Sequence, residues 1–229
     1  MTEIIPAIMP KNLNDLENKV SLVRGAARWV QIDVMDGNFV SAVDWPFPDM
    51  RRAASAILSE EEGLPYWNDI NYEFDLMIKN PEKYAEDFVR LGGGRIIFHY
   101  ESADKDKIWE AVRKVQDMNT EVAIAIDTVT PNDALDEFLT DERPVDFVQL
   151  MGIAQIGYQG QPFDERVIPK IKALRGKFPD IMISIDGGVN FDSAPLLIDA
   201  GANRLVAGSV ILKSENPREA IGRLKLLSI

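Results

Sequence analysis

Residues 31–40 read Gln-Ile-Asp-Val-Met-Asp-Gly-Asn-Phe-Val, an apolar run that ends in acidic residues and a glycine. This pattern predicts a buried strand followed by a loop with functional side chains. Residues 184–190, Ser-Ile-Asp-Gly-Gly-Val-Asn, end a later apolar run in the same way. Asp33 and Asp186, at the ends of two strands, can face each other across one pocket. Such a pair can take a proton from one face of a carbon atom and return one to the other.

Short apolar runs alternate with amphipathic segments along the whole chain. Eight strands are predicted, each apolar on both faces as is typical of a parallel sheet covered by helices: 4–9, 29–35, 72–78, 95–99, 122–126, 147–151, 181–186 and 204–207. Helices are predicted at 12–23, about 49–58, 81–91, 131–139, 164–178, 193–200 and 217–227. Eight alternating units predict an α/β fold, a single (β/α)8 TIM barrel, rather than an open sheet.

The size and composition agree with one domain over residues 1–229. The chain has 229 residues, of which 46% are hydrophobic, and no Pro/Gly/Ser-rich linker divides it. Residues 41–71 form the longest connection, which we expect to hold the second helix and a loop rich in acidic and aromatic residues. That loop could cover the pocket or pack on a partner subunit.

The charge and the residue content exclude several classes of function. A formal net charge of −12 argues against a nucleic-acid-binding surface and against adhesion to anionic membranes. The chain has no cysteine, so disulfides, thiolate chemistry and Cys-ligated metals are excluded. We recognise no signal peptide and no apolar run near the ~20 residues of a membrane span, and we therefore expect a cytoplasmic protein.

The chain resembles the ribulose-phosphate 3-epimerase family from Pro6 to Ser209. Residues 33–40, Asp-Val-Met-Asp-Gly-Asn-Phe-Val, carry the most specific match. Further matches are Leu76-Met77 with Pro81, Phe98-His99-Tyr100-Glu101, Leu150-Met151, Gly160-Gln161-Pro162-Phe163, Asp186-Gly187-Gly188 and Ala207-Gly208-Ser209. The resemblance implies a TIM barrel that interconverts D-ribulose 5-phosphate and D-xylulose 5-phosphate. It also implies two aspartates as acid and base, and a divalent metal held by two histidines and the same aspartates.

Several residues of this chain take up positions that the resemblance gives a role. Asp33 and Asp186 correspond to the acid and base. Met35, Met77 and Met151 correspond to methionines that line the pocket. His99 matches a family histidine that is not a metal ligand; we read it first as a structural residue, although it could bind substrate or orient a carboxylate. Family members are often dimers or hexamers, which makes a homo-oligomer an expectation here.

The metal site departs from the family pattern. Gln31 and Asp75 occupy the positions of the two metal histidines, and Ala7 replaces an early pocket serine. The all-oxygen set Gln31, Asp33, Asp75 and Asp186 favours a hard cation, Mg²⁺ or Mn²⁺, over Zn²⁺. The alternative is that no metal binds and that one of the facing carboxylates holds a proton. The loop 154–161 also differs from the family pattern, with an apparent one-residue insertion.

Two glycine-containing loops predict a phosphate site. Gly187 and Gly188 follow the seventh strand, while Gly208 and Ser209 follow the eighth. TIM barrels bind phosphate at this place through backbone N–H groups and a short helix N-terminus. The expected ligand is therefore a small phosphorylated sugar.

The preferred interpretation is an enzyme that epimerises a ketose phosphate, with D-ribulose 5-phosphate as the first substrate to test. One alternative is a catalytically altered or inactive relative that binds a phosphorylated sugar as a sensor or partner subunit. Another is an epimerase or isomerase for a different sugar phosphate. Related decarboxylases and synthases carry an Asp-x-Lys-x-x-Asp run at a strand end, and this chain has none.

Overall fold

Eight parallel strands close into a barrel in the computed structural model, which describes residues 2–47, 49–50 and 63–227. Each strand pairs with the next along the chain, and β8 pairs with β1. The strands are β1 (Glu3–Ile8), β2 (Trp29–Met35), β3 (Asn71–Met77), β4 (Gly93–His99), β5 (Glu121–Ile126), β6 (Phe147–Met151), β7 (Met182–Asp186) and β8 (Arg204–Ala207). The predicted (β/α)8 TIM barrel is confirmed, with strand ends within two residues of those predicted.

Helices follow the strands on the outside of the barrel. In the described part of the chain they are α1 (Leu13–Val23), α2 (Ala85–Arg90), α3 (Lys105–Asp117), α4 (Asp136–Thr140), α5 (Val167–Lys177), α6 (Ser193–Ala200), α7 (Ser209–Leu212) and α8 (Pro217–Leu226). Asn12 caps α1, because its side chain accepts a hydrogen bond from the Asp15 N–H. Gly201 ends α6 in the left-handed conformation, with a φ of 113°. No helix of this described part is long and apolar enough to cross a membrane.

The helices differ from the prediction in three places. α3 was not predicted, although its buried residues Ile108, Ala111, Val112 and Val115 have the spacing of one helical face. The predicted helices at 81–91 and 131–139 each consist of a short 3-10 turn followed by a short α-helix. The helix predicted at about 49–58 lies outside the described residues except for 49 and 50.

The barrel interior is unusually polar. Successive strand residues face opposite sides, so Val30, Ile32 and Val34 of β2 join the large core under the helices while Gln31 and Asp33 point inward. The fully buried polar side chains inside the barrel are Gln31, Glu73, Asp75, His99, Gln149 and Ser184. Buried polar groups are costly unless they are paired, so their partners decide what each end of the barrel does.

Candidate active site

Three buried carboxylates meet at the carboxyl ends of β2, β3 and β7. Asp33 and Asp75 are register partners across the β2–β3 pair, and Asp186 ends β7. Asp33, Asp75 and Asp186 are 4%, 0% and 9% exposed, and each offers an oxygen within 4.8 Å of the others. The end of the barrel where TIM-barrel enzymes carry their active sites thus holds the predicted aspartate pair together with Asp75.

Gln31 joins the aspartate pair. Its Nε2 donates hydrogen bonds of 2.8 Å both to Oδ1 of Asp33 and to Oδ2 of Asp186. Its Oε1 is buried and has no hydrogen-bond partner. One amide group therefore fixes the separation and orientation of the two carboxylates.

The electrostatics of this cluster keep the carboxylates partly protonated. Burial, together with the charges of Asp186 and Asp75, raises the pKa of Asp33 well above its ordinary value. Burial and the charge of Asp75 raise the pKa of Asp186 to about 7, although the hydrogen bond from Gln31 lowers it. Without a cation, the aspartate pair favours a state in which it shares a proton.

His99 lies on the far side of Asp75. Its Nε2 is 3.1 Å from Oδ1 of Asp75, and both side chains are fully buried. Burial favours the neutral ring, but the carboxylates of Asp75, Glu101 and Asp127 raise the pKa of His99 to about 9. A contact between His99 and a carboxylate was one of the roles considered from the sequence, and the carboxylate is Asp75.

The donor atoms around this cluster fit a hard divalent cation. The three carboxylates lie close enough to share one ion. Oδ2 of Asp75 and Oε1 of Gln31 are buried oxygens without a partner, and each has lone pairs to offer. A cation with a preference for oxygen ligands satisfies these atoms and offsets the repulsion among the three acids.

A cavity of about 220 Å³ opens above the carboxylates. Asp33 and Asp186 form part of its floor, and Met77 and Met151 form apolar walls. Met35 does not line the cavity; it packs against Val40 and Met77 at the rim. His99 does not line it either, because Asp75 separates the ring from the open space.

The two glycine loops border the same cavity. Gly187 and Gly188 have φ values of 91° and 68°, in the left-handed region that favours glycine. A Cβ on Gly188 would lie 2.7 Å from Cα of Phe163, so the tight packing of the loop excludes a side chain. Gly208 and Ser209, at the start of α7, complete the border.

The loop after β6 covers the cavity and brings residues that were not predicted. Nε2 of Gln159 donates a 3.2 Å hydrogen bond to the carbonyl oxygen of Ala7. The hydroxyl groups of Tyr158 and Ser41 are 2.6 Å apart and connect this loop to the loop after β2. Gln161 and Asn190 also line the cavity. Their spacing in the sequence gives no signal for this role, since their position depends on how the loop folds back.

Two further acids of the β2 loop have structural partners. Oδ1 of Asp36 accepts hydrogen bonds from the backbone N–H groups of Asn38 and Phe39 at 2.9 and 3.0 Å. Asp36 is therefore a turn cap. Oδ1 of Asp44 accepts a 2.8 Å hydrogen bond from the Met35 N–H, and burial raises the pKa of Asp44 to about 8.

Comparison with known proteins identifies the relatives of this chain. The family described as "Ribulose-phosphate 3 epimerase family" matches residues 3–212. Ribulose-phosphate 3-epimerase from Candida glabrata is 32% identical over 228 residues, which cover 97% of this chain and 90% of that protein. The enzyme of that name from Bacillus subtilis is 29% identical over 232 residues, covering 98% and 99%.

Solved structures with the same fold are more distant in sequence. A 3-hexulose-6-phosphate synthase from Salmonella typhimurium aligns with a TM-score of 0.73 at 15% identity, over 99% of this chain and 98% of that one. KGPDC from Streptococcus mutans, solved in complex with a phosphorylated sugar, aligns with a TM-score of 0.70 at 14% identity, over 99% and 97%. At these identities the likeness concerns the barrel alone.

Proposed function

Since the chain belongs to the ribulose-phosphate 3-epimerase family, a family of isomerases, we propose that it interconverts D-ribulose 5-phosphate and D-xylulose 5-phosphate. The observation that carries the proposal is the pair Asp33 and Asp186, held by one amide group of Gln31 beneath a cavity. Two carboxylates in fixed relation to one substrate carbon are what inversion by proton transfer requires.

The reaction moves two protons at C3 of the sugar. One aspartate, as carboxylate, removes the C3 proton from one face, and the electron pair of the C–H bond moves to form the C2–C3 double bond of an enediolate. The other aspartate, as carboxylic acid, then delivers its proton to C3 from the opposite face, and the C2 carbonyl forms again. Asp33 and Asp186 exchange their protonation states in each turnover, so the direction of the reaction decides which is the base.

The raised pKa values suit this exchange. A pair that shares one proton has one carboxylate and one carboxylic acid ready at neutral pH. The hydrogen bonds from Gln31 lower the pKa of both aspartates and hold them on opposite sides of the amide. We infer that Gln31 keeps the two groups aimed at the same carbon.

Gln31, Asp33, Asp75 and Asp186 would hold the divalent cation. Because Gln31 and Asp75 replace two histidines of the family pattern, the donor set is all oxygen and we infer a preference for Mg²⁺ or Mn²⁺ over Zn²⁺. When bound, such an ion supplies positive charge that stabilises the enediolate oxygens.

The remaining residues of the cavity position the substrate. The loops at Gly187–Gly188 and Gly208–Ser209 would bind the phosphate through backbone N–H groups, which fixes the distance from the phosphate to C3. Met77 and Met151 present apolar, polarisable walls to the sugar carbons. These walls exclude water from the charged enediolate and thereby strengthen its electrostatic stabilisation.

Exchange of the C3 proton of D-ribulose 5-phosphate with deuterium in D₂O, followed by NMR, tests this function. The protein is treated with EDTA and then supplied with Mg²⁺, Mn²⁺ or Zn²⁺ in separate samples. We expect exchange and formation of D-xylulose 5-phosphate, strongest with Mg²⁺ or Mn²⁺, and loss of both in Asp186→Asn. Asp192→Asn, a change at an exposed carboxylate, is the matched control and should keep full activity.

The absence of exchange with every ion, while inorganic phosphate still binds, would overturn the epimerase proposal and leave a phosphorylated-sugar binder. The position of Gln159 favours a second candidate, an epimerase for another ketose phosphate. Its amide reaches Ala7, where the family has a hydroxyl side chain, and so changes the polar groups that a sugar meets. Exchange with ketose phosphates of four to six carbons would separate the two candidates.

A further inference from the structure

A second group of metal-binding side chains lies next to the carboxylate cluster, at the carboxyl ends of β4 and β5. His99 ends β4, Glu101 belongs to the 3-10 turn Tyr100–Ser102 that follows, and Asp127 follows β5 directly. One ligand atom of each residue lies within 4.8 Å of the others. The proton transfers described above use neither Glu101 nor Asp127.

Each member of this group has one buried atom without a partner. These atoms are Nδ1 of His99, Oε2 of Glu101 and Oδ1 of Asp127. A buried polar atom that forms no hydrogen bond costs about 1–3 kcal/mol, so three on neighbouring residues indicate a missing common partner. His99 is completely buried, and the carboxylates of Glu101 and Asp127 lie close enough to act on its charge.

Hydrogen bonds anchor the group and leave the three atoms free. Nε2 of His99 contacts Asp75, while Oε1 of Glu101 accepts from the Asp127 N–H at 3.0 Å and from the hydroxyl of Thr130. A metal-binding histidine commonly donates its second N–H to a carboxylate, which fixes the orientation of the ring. Asp75 gives His99 this support.

The neighbouring cation does not satisfy the three atoms. Lys170 lies beside the group, but its Nζ donates to the carbonyl oxygens of Asp127 and Thr130 rather than to a carboxylate. Its charge offsets one of the two acids. With a neutral His99 ring, one negative charge remains to attract a cation.

We propose that His99, Glu101 and Asp127 form a second divalent-cation site, distinct from the cluster of Asp33, Asp75 and Asp186. One imidazole nitrogen and two carboxylate oxygens suit a transition-metal ion such as Mn²⁺, Fe²⁺ or Zn²⁺. The two sites share no ligand, yet they are joined through the contact between Asp75 and His99.

The ligand chemistry of the two sites gives a direct test. The first site offers only oxygen donors, so a nitrogen ligand to bound Mn²⁺ can come only from the second. Equilibrium dialysis should find two equivalents of Mn²⁺ per chain, and pulsed EPR should show the hyperfine coupling of a histidine nitrogen. Asp127→Asn should lose one equivalent and the nitrogen coupling, while Asp133→Asn, an exposed acid on the same segment, should keep both.

Variants at the first site complete the test. Asp33→Asn should lose the other equivalent and keep the nitrogen coupling. Glu101→Gln repeats the Asp127→Asn experiment, and circular dichroism verifies that each variant is folded. Wild-type protein without nitrogen coupling would overturn the proposal and leave a protonated His99 as the partner of the two acids. Nitrogen coupling that disappears in Asp33→Asn would also overturn it, because His99 would then belong to the first site.

Discussion

The two ends of the barrel interior carry similar charged side chains and use them differently. β3 contributes Glu73 to the amino-terminal end and Asp75 to the carboxyl-terminal end, and β4 contributes Arg95 and His99 in the same way. At the amino-terminal end, Nη1 of Arg95 lies 3.1 Å from Glu73 and its Nε lies 2.8 Å from Glu121. Nε of Arg204 lies 3.2 Å from Glu3. Guanidinium groups thus pair with the acids at this end.

The neighbours of each carboxylate make the difference. Burial raises the pKa of Glu73 to about 7, but the charges of Arg95 and Arg204 oppose this shift. Burial also raises the pKa of Asp186 to about 7, and there the charge of Asp75 adds to the shift. Pairing with arginine stabilises the amino-terminal end, whereas crowding of acids leaves the other end able to take up a proton or a cation.

Loss of either aspartate of the pair should give the largest effect. We expect Asp33→Asn and Asp186→Asn each to slow C3 exchange by about 10²–10⁴-fold, because general acid–base catalysis contributes about this much. The free energy of unfolding should not fall, since each variant removes one of three mutually repelling acids. Exchange kinetics and urea unfolding of the same samples test both expectations. Destabilised variants would show that the carboxylates serve the fold rather than the chemistry.

The opposite result is expected at the amino-terminal end. Arg95→Met should lower the free energy of unfolding by about 3–5 kcal/mol, because Glu73 would remain buried without its partner. The guanidinium also stacks 3.6 Å from the centre of the Trp29 ring, and this contact would be lost. The rate of C3 exchange per folded molecule should stay close to that of the wild type.

Urea unfolding of Arg95→Met together with Glu73→Gln serves as the control. The double variant should recover part of the lost stability, since an amide costs less to bury than an unpaired carboxylate. A large fall in exchange rate with unchanged stability would break the contrast between the two ends.

A change in the phosphate loop should affect both stability and binding. Gly188→Ala places a Cβ 2.7 Å from Phe163 at a φ of 68°, and we expect a loss of about 1–3 kcal/mol. The KM for the sugar phosphate should rise because the loop must move. Gly176→Ala is the matched control: a Cβ there meets nothing within 4 Å, and alanine within α5 should add about 0.5–1 kcal/mol of stability. Steady-state kinetics and thermal unfolding measure both variants.

The smallest effect concerns the pH dependence of stability. Burial raises the pKa of Asp44 to about 8 from an ordinary value of 3.8, so the folded protein holds this proton over a range in which the unfolded chain has lost it. Stability therefore falls between pH 4 and pH 8 as the proton is removed. Asp44→Asn keeps an oxygen that can accept from Met35 and should reduce this fall by about 1–2 kcal/mol. Identical pH profiles of unfolding for the two proteins would contradict a neutral Asp44.

Much of the barrel could be predicted because its signals are local. The alternation of apolar strands with helical segments and the acids at strand ends are visible within windows of about ten residues. The bounds of β2, β6 and β8 agree with the predicted ones for this reason. α3 was missed because its four buried positions stand among charged residues. The 3-10 turns were missed because they differ from an α-helix in one hydrogen bond per turn.

The sequence by itself determined the barrel and the pair Asp33 and Asp186, since strand ends of a parallel barrel meet at one end whatever the loops do. Only the tertiary structure decided that Gln31 holds this pair, that His99 faces Asp75, and that Arg95 pairs with Glu73. These contacts join residues on different strands, and the register and closure of the barrel set their distances. The loop after β6 reaches Ala7 across 152 positions of sequence, a contact that only the folded loop creates.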